Sequence, residues 1–96
     1  RELSLMLSDI IQEKLTYKHG VTEKEIQDCL INRESGFLVD TREDHQSDPP
    51  TQWFIAETNK GRSLKIAFVQ RGSDIFIRTA YEPNTQEVAI YQKYAV

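Results

Sequence analysis

The chain has 96 residues, of which 39% are hydrophobic and 28% are charged, and its formal net charge is −3. This length leaves room for only one core and the composition excludes a disordered chain, so we expect a single domain over residues 1–96. A non-specific nucleic-acid binder is normally basic, and any nucleic-acid role therefore needs a local cluster of cations. Because the chain begins at Arg1 rather than at Met, we expect upstream residues or a processed start.

The sequence predicts neither a membrane segment nor a metal or cofactor site. No apolar run approaches the roughly 18 residues that span a bilayer, and no secretory signal is recognisable, so we expect a cytoplasmic protein. Cys29 is the single cysteine, which excludes an intrachain disulfide, and the two histidines lack metal-ligand spacing. We expect Cys29 to be a buried, inert thiol on a helix, with a reactive thiol as the alternative.

The first third of the chain predicts two helices. Apolar residues recur at helical spacing over residues 3–18, and Gly20 follows as a helix-ending glycine. A second helix is predicted to begin at Thr22, which forms a T-x-x-E capping box with Glu25, and to end near Asn32. This second helix is short and amphipathic, and we expect it to cover a sheet.

The rest of the chain changes to an apolar period of two, which is typical of strands. Strands are predicted at residues 37–39, 52–58, 63–70 and 74–80. A polar loop is predicted over residues 41–51, and Asn84 with Glu87 forms a capping box for a terminal helix that reaches Ala95. The sequence therefore predicts an α+β fold with two N-terminal helices, a four-stranded antiparallel meander sheet and a C-terminal helix.

The hairpin at Lys60-Gly61 also predicts a register for the sheet. A two-residue loop there would pair Ile55 with Ile66. The face that the helices cover would then carry Trp53, Ile55, Leu64, Ile66, Phe68, Ile75 and Ile77. The opposite face would carry Phe54, Ala56, Lys65, Ala67, Val69, Phe76, Arg78 and Ala80.

This opposite face is one candidate site. Lys65 and Arg78 would lie on neighbouring strands, where two like charges repel unless an anion sits between them. Small alanines would leave room for a ligand, and Phe54 and Phe76 would stack on a base while the cations hold its phosphate. Two alternatives remain: the cationic side chains extend over the phenylalanines, or a partner's helix or upstream residues cover the face.

Two further segments carry candidate residues. Lys18 and His19 end the first helix, where they either complement the helix dipole or form an acid–base pair at the mouth of a site. Arg42 and His45 lie in the polar loop, which is either solvated or arranged for phosphodiester cleavage, with a general-base histidine beside a charge-stabilising arginine. Tyr81 is expected to cap the edge of the core rather than to act as an acid.

The order of these segments resembles the BrnT group of the RelE/ParE-like toxin superfamily. The segments that carry the resemblance are residues 18–21 (Lys-His-Gly-Val), 40–45, 61–69, 77–81 and 87–91, which together span about three quarters of the chain. The resemblance implies a small sheet backed by helices, a toxin-type ribonuclease activity and an antitoxin partner. Tyr81 stands where the group has a final strand arginine, and the terminal helix also lacks the group's arginine.

Residues 48–58 also resemble an uncharacterised bacterial family whose members are often labelled ADP-ribosyl-(dinitrogen reductase) hydrolase. This resemblance implies hydrolysis of an ADP-ribose bond. True ADP-ribosylglycohydrolases are much larger and carry paired metal-binding carboxylate clusters, whereas this chain has no Asp-Asp metal motif.

The leading interpretation is a metal-independent, toxin-type endoribonuclease that acts on RNA and is neutralised by an antitoxin protein. Arg78 and Lys65, together with Lys18, Tyr81, Phe54 and Phe76, would hold the substrate. Arg42 would stabilise developing charge, and His45 or His19 would transfer protons. The alternative is a non-catalytic, partner-binding protein of the same fold. The presence of Tyr81 in place of the arginine favours this alternative. An ADP-ribose-bond hydrolase is a weaker alternative.

Overall fold

The structure, a computed structural model, describes residues 3–42 and 47–95. In chain order its elements are β1 (Ser4–Met6), α1 (Asp9–His19), α2 (Glu23–Asn32), β2 (Leu38–Val39), β3 (Thr51–Glu57), β4 (Ser63–Arg71), β5 (Asp74–Tyr81) and α3 (Thr85–Tyr94). Among the described residues, no helix has the length and apolar character needed to cross a membrane.

The five strands form one mixed sheet in the order β1-β5-β4-β3-β2. Three of the four neighbouring pairs are antiparallel, and β1 runs parallel to β5 at the edge. The α+β class predicted from the sequence is confirmed, but the prediction of four strands, all antiparallel, is wrong because it lacks β1.

The missing strand lies in the segment that was predicted to begin the first helix. Leucines alternate with Ser4 and Met6 there, and the leucines are half-buried while Ser4 and Met6 are exposed, which is the pattern of a strand. Ser8 then caps α1, because its hydroxyl accepts a hydrogen bond from the backbone N–H of Ile11 at 3.2 Å. The helix therefore begins six residues later than the predicted range.

The C-terminus of α1 and the N-terminus of α2 agree with the sequence prediction. Gly20 has a φ of 62°, and its backbone N–H caps the carbonyl of Thr16, a left-handed conformation that glycine adopts without strain. Thr22 and Glu25 form a reciprocal capping box, with hydrogen bonds of 3.2 Å and 3.0 Å. These local contacts fix the turn between α1 and α2.

The β3–β4 hairpin has a loop one residue longer than the predicted loop. Thr58 donates its backbone N–H to the carbonyl of Arg62 at 2.8 Å, which encloses three residues, and Gly61 has a φ of 85°. The Thr58 hydroxyl also accepts hydrogen bonds from the backbone N–H groups of Lys60 and Arg62. A three-residue loop that ends in a left-handed residue is a common hairpin connection.

This extra loop residue inverts the faces of β3. Phe54 pairs with Ile66, and Ile55 pairs with Lys65, so the predicted pairing of Ile55 with Ile66 is wrong by one residue. Because successive side chains of a strand point to opposite faces, the whole strand turns over. Phe54 therefore lies on the buried face and is 0% exposed, and Trp53 lies on the other face.

A bulge in β5 changes the second half of that strand. Phe68 pairs with Ile77 and Ala67 pairs with Thr79, which leaves Arg78 as the extra residue. Ile75 and Ile77 lie on the buried face as predicted. After the bulge, Ala80 returns to that face, so the prediction that it lies opposite is wrong.

The main core lies between this sheet face and the first two helices. α1 contacts β5 and α2 contacts β3, and Cys29 of α2 reaches the carbonyl of Ala56 at 3.5 Å. On the other face, the ring of Tyr91 in α3 lies 5.7 Å from the ring of Trp53. The largest fully buried side chains are Phe54, Phe68, Leu15, Ile26, Leu64, Ile66, Ile75, Val21 and Cys29.

Phe68 tests this assignment of the core face. Its ring contacts Phe37 at a centroid distance of 4.7 Å and Phe54 at 6.0 Å. We expect Phe68→Ala to lower the free energy of unfolding by about 3–5 kcal/mol because it leaves a cavity among these rings. Urea denaturation measures this loss. Phe76→Ala, at a partly exposed phenylalanine on β5, is the matched control and should cost much less; equal losses would contradict the assignment.

Candidate functional site

Three residues predicted as site residues meet around one open surface pocket. Lys18 and His19 come from the end of α1, Tyr81 comes from the end of β5, and Arg62 and Glu82 complete the lining. The rings of His19 and Tyr81 are 5.7 Å apart at an angle of 43°. We call this the Tyr81 pocket.

Arg62 fixes the end of α1 against the β3–β4 hairpin. Its Nη2 donates a hydrogen bond to the carbonyl of His19, and its Nη1 donates one to the carbonyl of Gly20, each at 2.9 Å. Carbonyls at a helix C-terminus have no partner within the helix and carry a partial negative charge, so a cation satisfies both needs. The position of His19 in the pocket therefore depends on Arg62.

The same guanidinium binds two carboxylates. Nη1 lies 3.1 Å from both carboxylate oxygens of Glu25, and Nε lies 2.8 Å from Glu82. Burial acts to raise the pKa of Glu25, but hydrogen bonds from the Thr22 backbone and Arg62, with the attraction of Arg62, leave this pKa below its usual value. Arg62 is thus charge-compensated, and its role is to brace the pocket wall rather than to attract an anion.

Tyr81 is held in place by a second ion pair, which joins Lys65 and Glu87. Its hydroxyl donates to Oε2 of Glu87 at 2.8 Å, and Nζ of Lys65 donates to the same oxygen at 2.8 Å. Lys65 is only 7% exposed, and its ammonium lies 4.5 Å from the ring centre of Trp53, a cation–π contact. Lys65 therefore has its counter-ion on α3, and this corrects the expectation that it needs an external anion.

Glu87 also caps the helix that carries it. Its side chain accepts the backbone N–H of Asn84 at 3.0 Å, and its own backbone N–H donates to the Asn84 side chain at 2.8 Å, as the capping-box pattern predicted. Burial acts to raise the pKa of Glu87. The hydrogen bonds from Lys65, Asn84 and Tyr81 outweigh burial and lower this pKa.

The other predicted site residues lie elsewhere. Arg42 is exposed and donates to the carboxylate of Asp40 from its backbone N–H, Nε and Nη2, at 3.1, 3.1 and 2.8 Å. Arg78 is exposed at the β5 bulge, and the cross-strand partner of Lys65 is Tyr81 rather than Arg78. The prediction for His45 lies outside the described residues.

The two phenylalanines of the predicted stacking platform are on opposite sides of the sheet. Phe54 is fully buried in the main core, whereas Phe76 is 38% exposed next to Met6 of β1. The prediction that Phe54 shares a face with Lys65 is therefore wrong, for the register reason given above. Phe76 keeps enough exposed surface to contact a ligand.

The Cys29 thiol and the described carboxylates supply neither a nucleophile nor a metal site. Cys29 is buried, and burial, with the nearby carboxylates of Asp28 and Glu25, raises the pKa of its thiol to about 12. A thiol with such a pKa stays protonated at neutral pH and is a poor nucleophile. Across residues 3–42 and 47–95, no three His, Cys, Asp or Glu side chains are grouped as a metal site would need.

Sequence reasoning did not assign Arg62, Glu82 or Glu87 to the site. Arg62 entered only as part of the segment 61–69 that carries the resemblance, although its position directly after Gly61 places it immediately before β4, facing the α1–α2 turn. Glu87 was recognised only as a helix cap. Its second role depends on the pairing of Lys65 with Tyr81, which the predicted register did not contain.

Comparisons with known proteins add no family to this geometry. No protein-family model matches the chain, and no curated protein matches its sequence.

Arg62 can be tested as the brace of the pocket. We expect Arg62→Ala to lower the free energy of unfolding by about 1–3 kcal/mol, because four groups lose their donor: the carbonyls of His19 and Gly20 and the carboxylates of Glu25 and Glu82. Arg62→Lys should recover only part of this loss, since an ammonium cannot reproduce the planar fork. Urea denaturation of both variants measures the effect. Arg71→Ala, an exposed arginine at the far end of β4, is the control; a loss as large there would contradict the brace.

The lowered pKa of Glu87 predicts how the stability of the protein depends on pH. Its pKa is lower in the folded state than the ordinary value of 4.5, so its stabilising contribution is complete above that value and is lost as the pH falls through it. Glu87→Gln keeps a capping side chain but removes the charge. We expect the urea midpoint of this variant to fall less steeply than that of the wild type below about pH 4.5.

Glu25 and Asp28 also have lowered pKa values, so the variant should keep part of the acid sensitivity. Glu13→Gln, at an exposed residue of α1, is the matched control and should follow the wild-type curve. Parallel wild-type and Glu87→Gln curves would show that the Glu87 ion pair does not contribute to stability.

Proposed function

We propose that this protein is a metal-independent endoribonuclease of toxin type that cleaves RNA at the Tyr81 pocket. One observation carries the proposal: Lys18, His19 and Tyr81, far apart in the sequence, line the same open pocket. The resemblance of the chain to the BrnT group supports the same activity. In this proposal the protein acts in the cytoplasm, and a separate antitoxin protein neutralises it.

The residues of the Tyr81 pocket suit cleavage by the neighbouring ribose hydroxyl. His19 would remove the proton of the 2′-hydroxyl, whose oxygen attacks the adjacent phosphorus while the bond to the 5′-oxygen breaks. Lys18 is exposed at the pocket and would stabilise the negative charge that develops on the phosphate. The departing 5′-oxygen would take a proton from a solvent water, and the hydroxide left behind would take back the proton held by His19. The products would be a 2′,3′-cyclic phosphate and a 5′-hydroxyl, and the pocket would supply the base and the cation without a metal ion.

Tyr81 would position the substrate rather than transfer a proton. Its hydroxyl is already bound to Glu87, which leaves the ring of Tyr81 beside that of His19 as a stacking surface. Aromatic rings bind exposed bases of single-stranded RNA by stacking. Arg78 and Phe76 are exposed on β5 and would contact the RNA strand outside the pocket.

A non-catalytic, partner-binding protein of the same fold is the second candidate, and one observation favours it. Two of the cations predicted for the site bind carboxylates of this chain: Lys65, predicted to hold phosphate, pairs with Glu87, and Arg42, predicted to stabilise developing charge, pairs with Asp40. A compensated cation attracts RNA less than an exposed, unpaired one. No feature of the described residues favours the ADP-ribose-bond hydrolase, which stays a prediction from the second resemblance.

Cleavage of a labelled RNA in chelator-containing, low-salt buffer tests the first candidate. We expect the wild-type protein to produce 2′,3′-cyclic phosphate ends, and His19→Ala to lower the cleavage rate by about 10²–10⁴-fold. Lys18→Ala should weaken cleavage, while Lys14→Ala, one turn earlier on the exposed side of α1, should leave the rate unchanged. Circular dichroism confirms that each variant is folded.

Two outcomes would contradict the proposal. If the wild-type protein does not cleave RNA at low salt, the partner-binding candidate stands in its place. If His45→Ala abolishes cleavage while His19→Ala does not, the ribonuclease is retained but its centre is in the polar loop rather than at the Tyr81 pocket.

A further inference from the structure

A second, larger groove lies between the end of α2 and the second half of α3, beside the end of β3. Its volume is about 890 Å³. Ile55, Val88, Tyr91 and Ala95 supply its apolar surface, and Glu34 and Glu57 stand among its polar lining residues. We call it the α2–α3 groove. It shares no lining residue with the Tyr81 pocket.

The charged side chains that line the groove are acidic. Among the described residues, no lysine, arginine or histidine lines it. Glu34 and Glu57 are exposed, and neither carboxylate has a hydrogen bond or ion pair with any described residue, whereas Glu25, Glu82 and Glu87 all bind cations. Arg33, which ends α2, is the cation beside the groove, and its guanidinium is engaged with the carbonyl of Ser35 at 2.8 Å and with the ring of Phe37 at 4.3 Å rather than with either carboxylate.

The carbonyl at the end of β3 beside the groove is already occupied. The side-chain amide of Asn32 donates to the carbonyl of Glu57 at 2.9 Å. The Tyr91 hydroxyl donates to the carbonyl of Gly36 at 2.7 Å. This end of β3 is therefore a poor place to add a strand, and recognition falls to the apolar surface and the two unpaired carboxylates.

We propose that the α2–α3 groove docks a basic, amphipathic segment of a partner protein, with apolar side chains against Val88 and Tyr91 and lysine or arginine beside Glu34 and Glu57. Charge complementarity selects a cationic occupant. The groove is open to solvent and cannot enclose most of the surface of a small ligand, as a typical ligand pocket does. A polypeptide gains the remaining contacts outside the groove, so a protein segment fits better than a free polyamine.

A phage-displayed library of random peptides, selected on the full chain, tests this proposal without any reference to RNA cleavage. Selected peptides should combine lysine or arginine with apolar residues. A synthetic copy of the best one, labelled for fluorescence anisotropy, should bind the Glu34→Lys/Glu57→Lys double variant at least about tenfold more weakly, and binding should weaken as salt is raised.

Glu13→Lys/Glu23→Lys is the matched control, because it makes the same charge change at exposed glutamates outside the groove and should bind like the wild type. Both variants change only exposed side chains, and their unfolding midpoints confirm that they are folded. Val88→Asp should also weaken binding, since it places a charge on the apolar surface.

Three results would overturn the proposal. Selection of peptides without a basic residue would remove the charge argument, and equal losses in the groove variant and the control would show that only net charge matters. Displacement of the peptide by spermidine at a similar concentration would identify the occupant as a small polyamine rather than a protein segment.

Discussion

The hydrogen bonds of Arg62 connect parts of the chain that local forces alone would leave unconnected. Arg62 is the first residue after the loop of the β3–β4 hairpin. Its guanidinium joins the C-terminus of α1, the capping box of α2 and the loop after β5 to this hairpin. Five N–H groups in a rigid plane make this possible. The α1–α2 turn is therefore held against the sheet at one point, and the Tyr81 pocket forms around that point.

Compensation of charge is the second constraint on this small domain. Lys65 is nearly buried, and its ion pair with Glu87 joins α3 to the middle of the sheet next to Trp53. A buried cation without a partner would destabilise the fold strongly, whereas the pair with its additional tyrosine bond satisfies both ions. Three charged side chains without an ion pair to a described residue lie at the surface instead: Lys18 at the Tyr81 pocket, and Glu34 and Glu57 at the α2–α3 groove.

What the sequence could predict follows from how far each interaction extends along the chain. The caps at Gly20, Thr22 and Asn84 depend on residues three or four positions apart, and their patterns were recognisable in advance. The register of β3 depends on whether the hairpin loop holds two or three residues. Hydrogen bonds to the Thr58 hydroxyl stabilise the three-residue loop. Because this loop length inverts every side chain of the strand, one missed loop residue placed Phe54 at the predicted site instead of in the core. The partner of Lys65 was missed for another reason, because it depends on the β4–β5 pairing of Lys65 with Tyr81 beyond the bulge.

The bulge at Arg78 constrains the length of β5 as much as its composition. Before it, Ile75 and Ile77 face the main core, and after it Ala80 does, so one strand changes phase partway along. Deleting Arg78 would restore a regular alternation and would leave Ile77, Ala80 and Tyr81 on their present faces, because the residue removed is the one without a cross-strand partner. One further residue inserted between Ile77 and Ala80 would instead turn Ala80 and Tyr81 to the opposite faces unless a larger bulge absorbed it, so this strand would tolerate the loss of a residue at the bulge better than the gain of one.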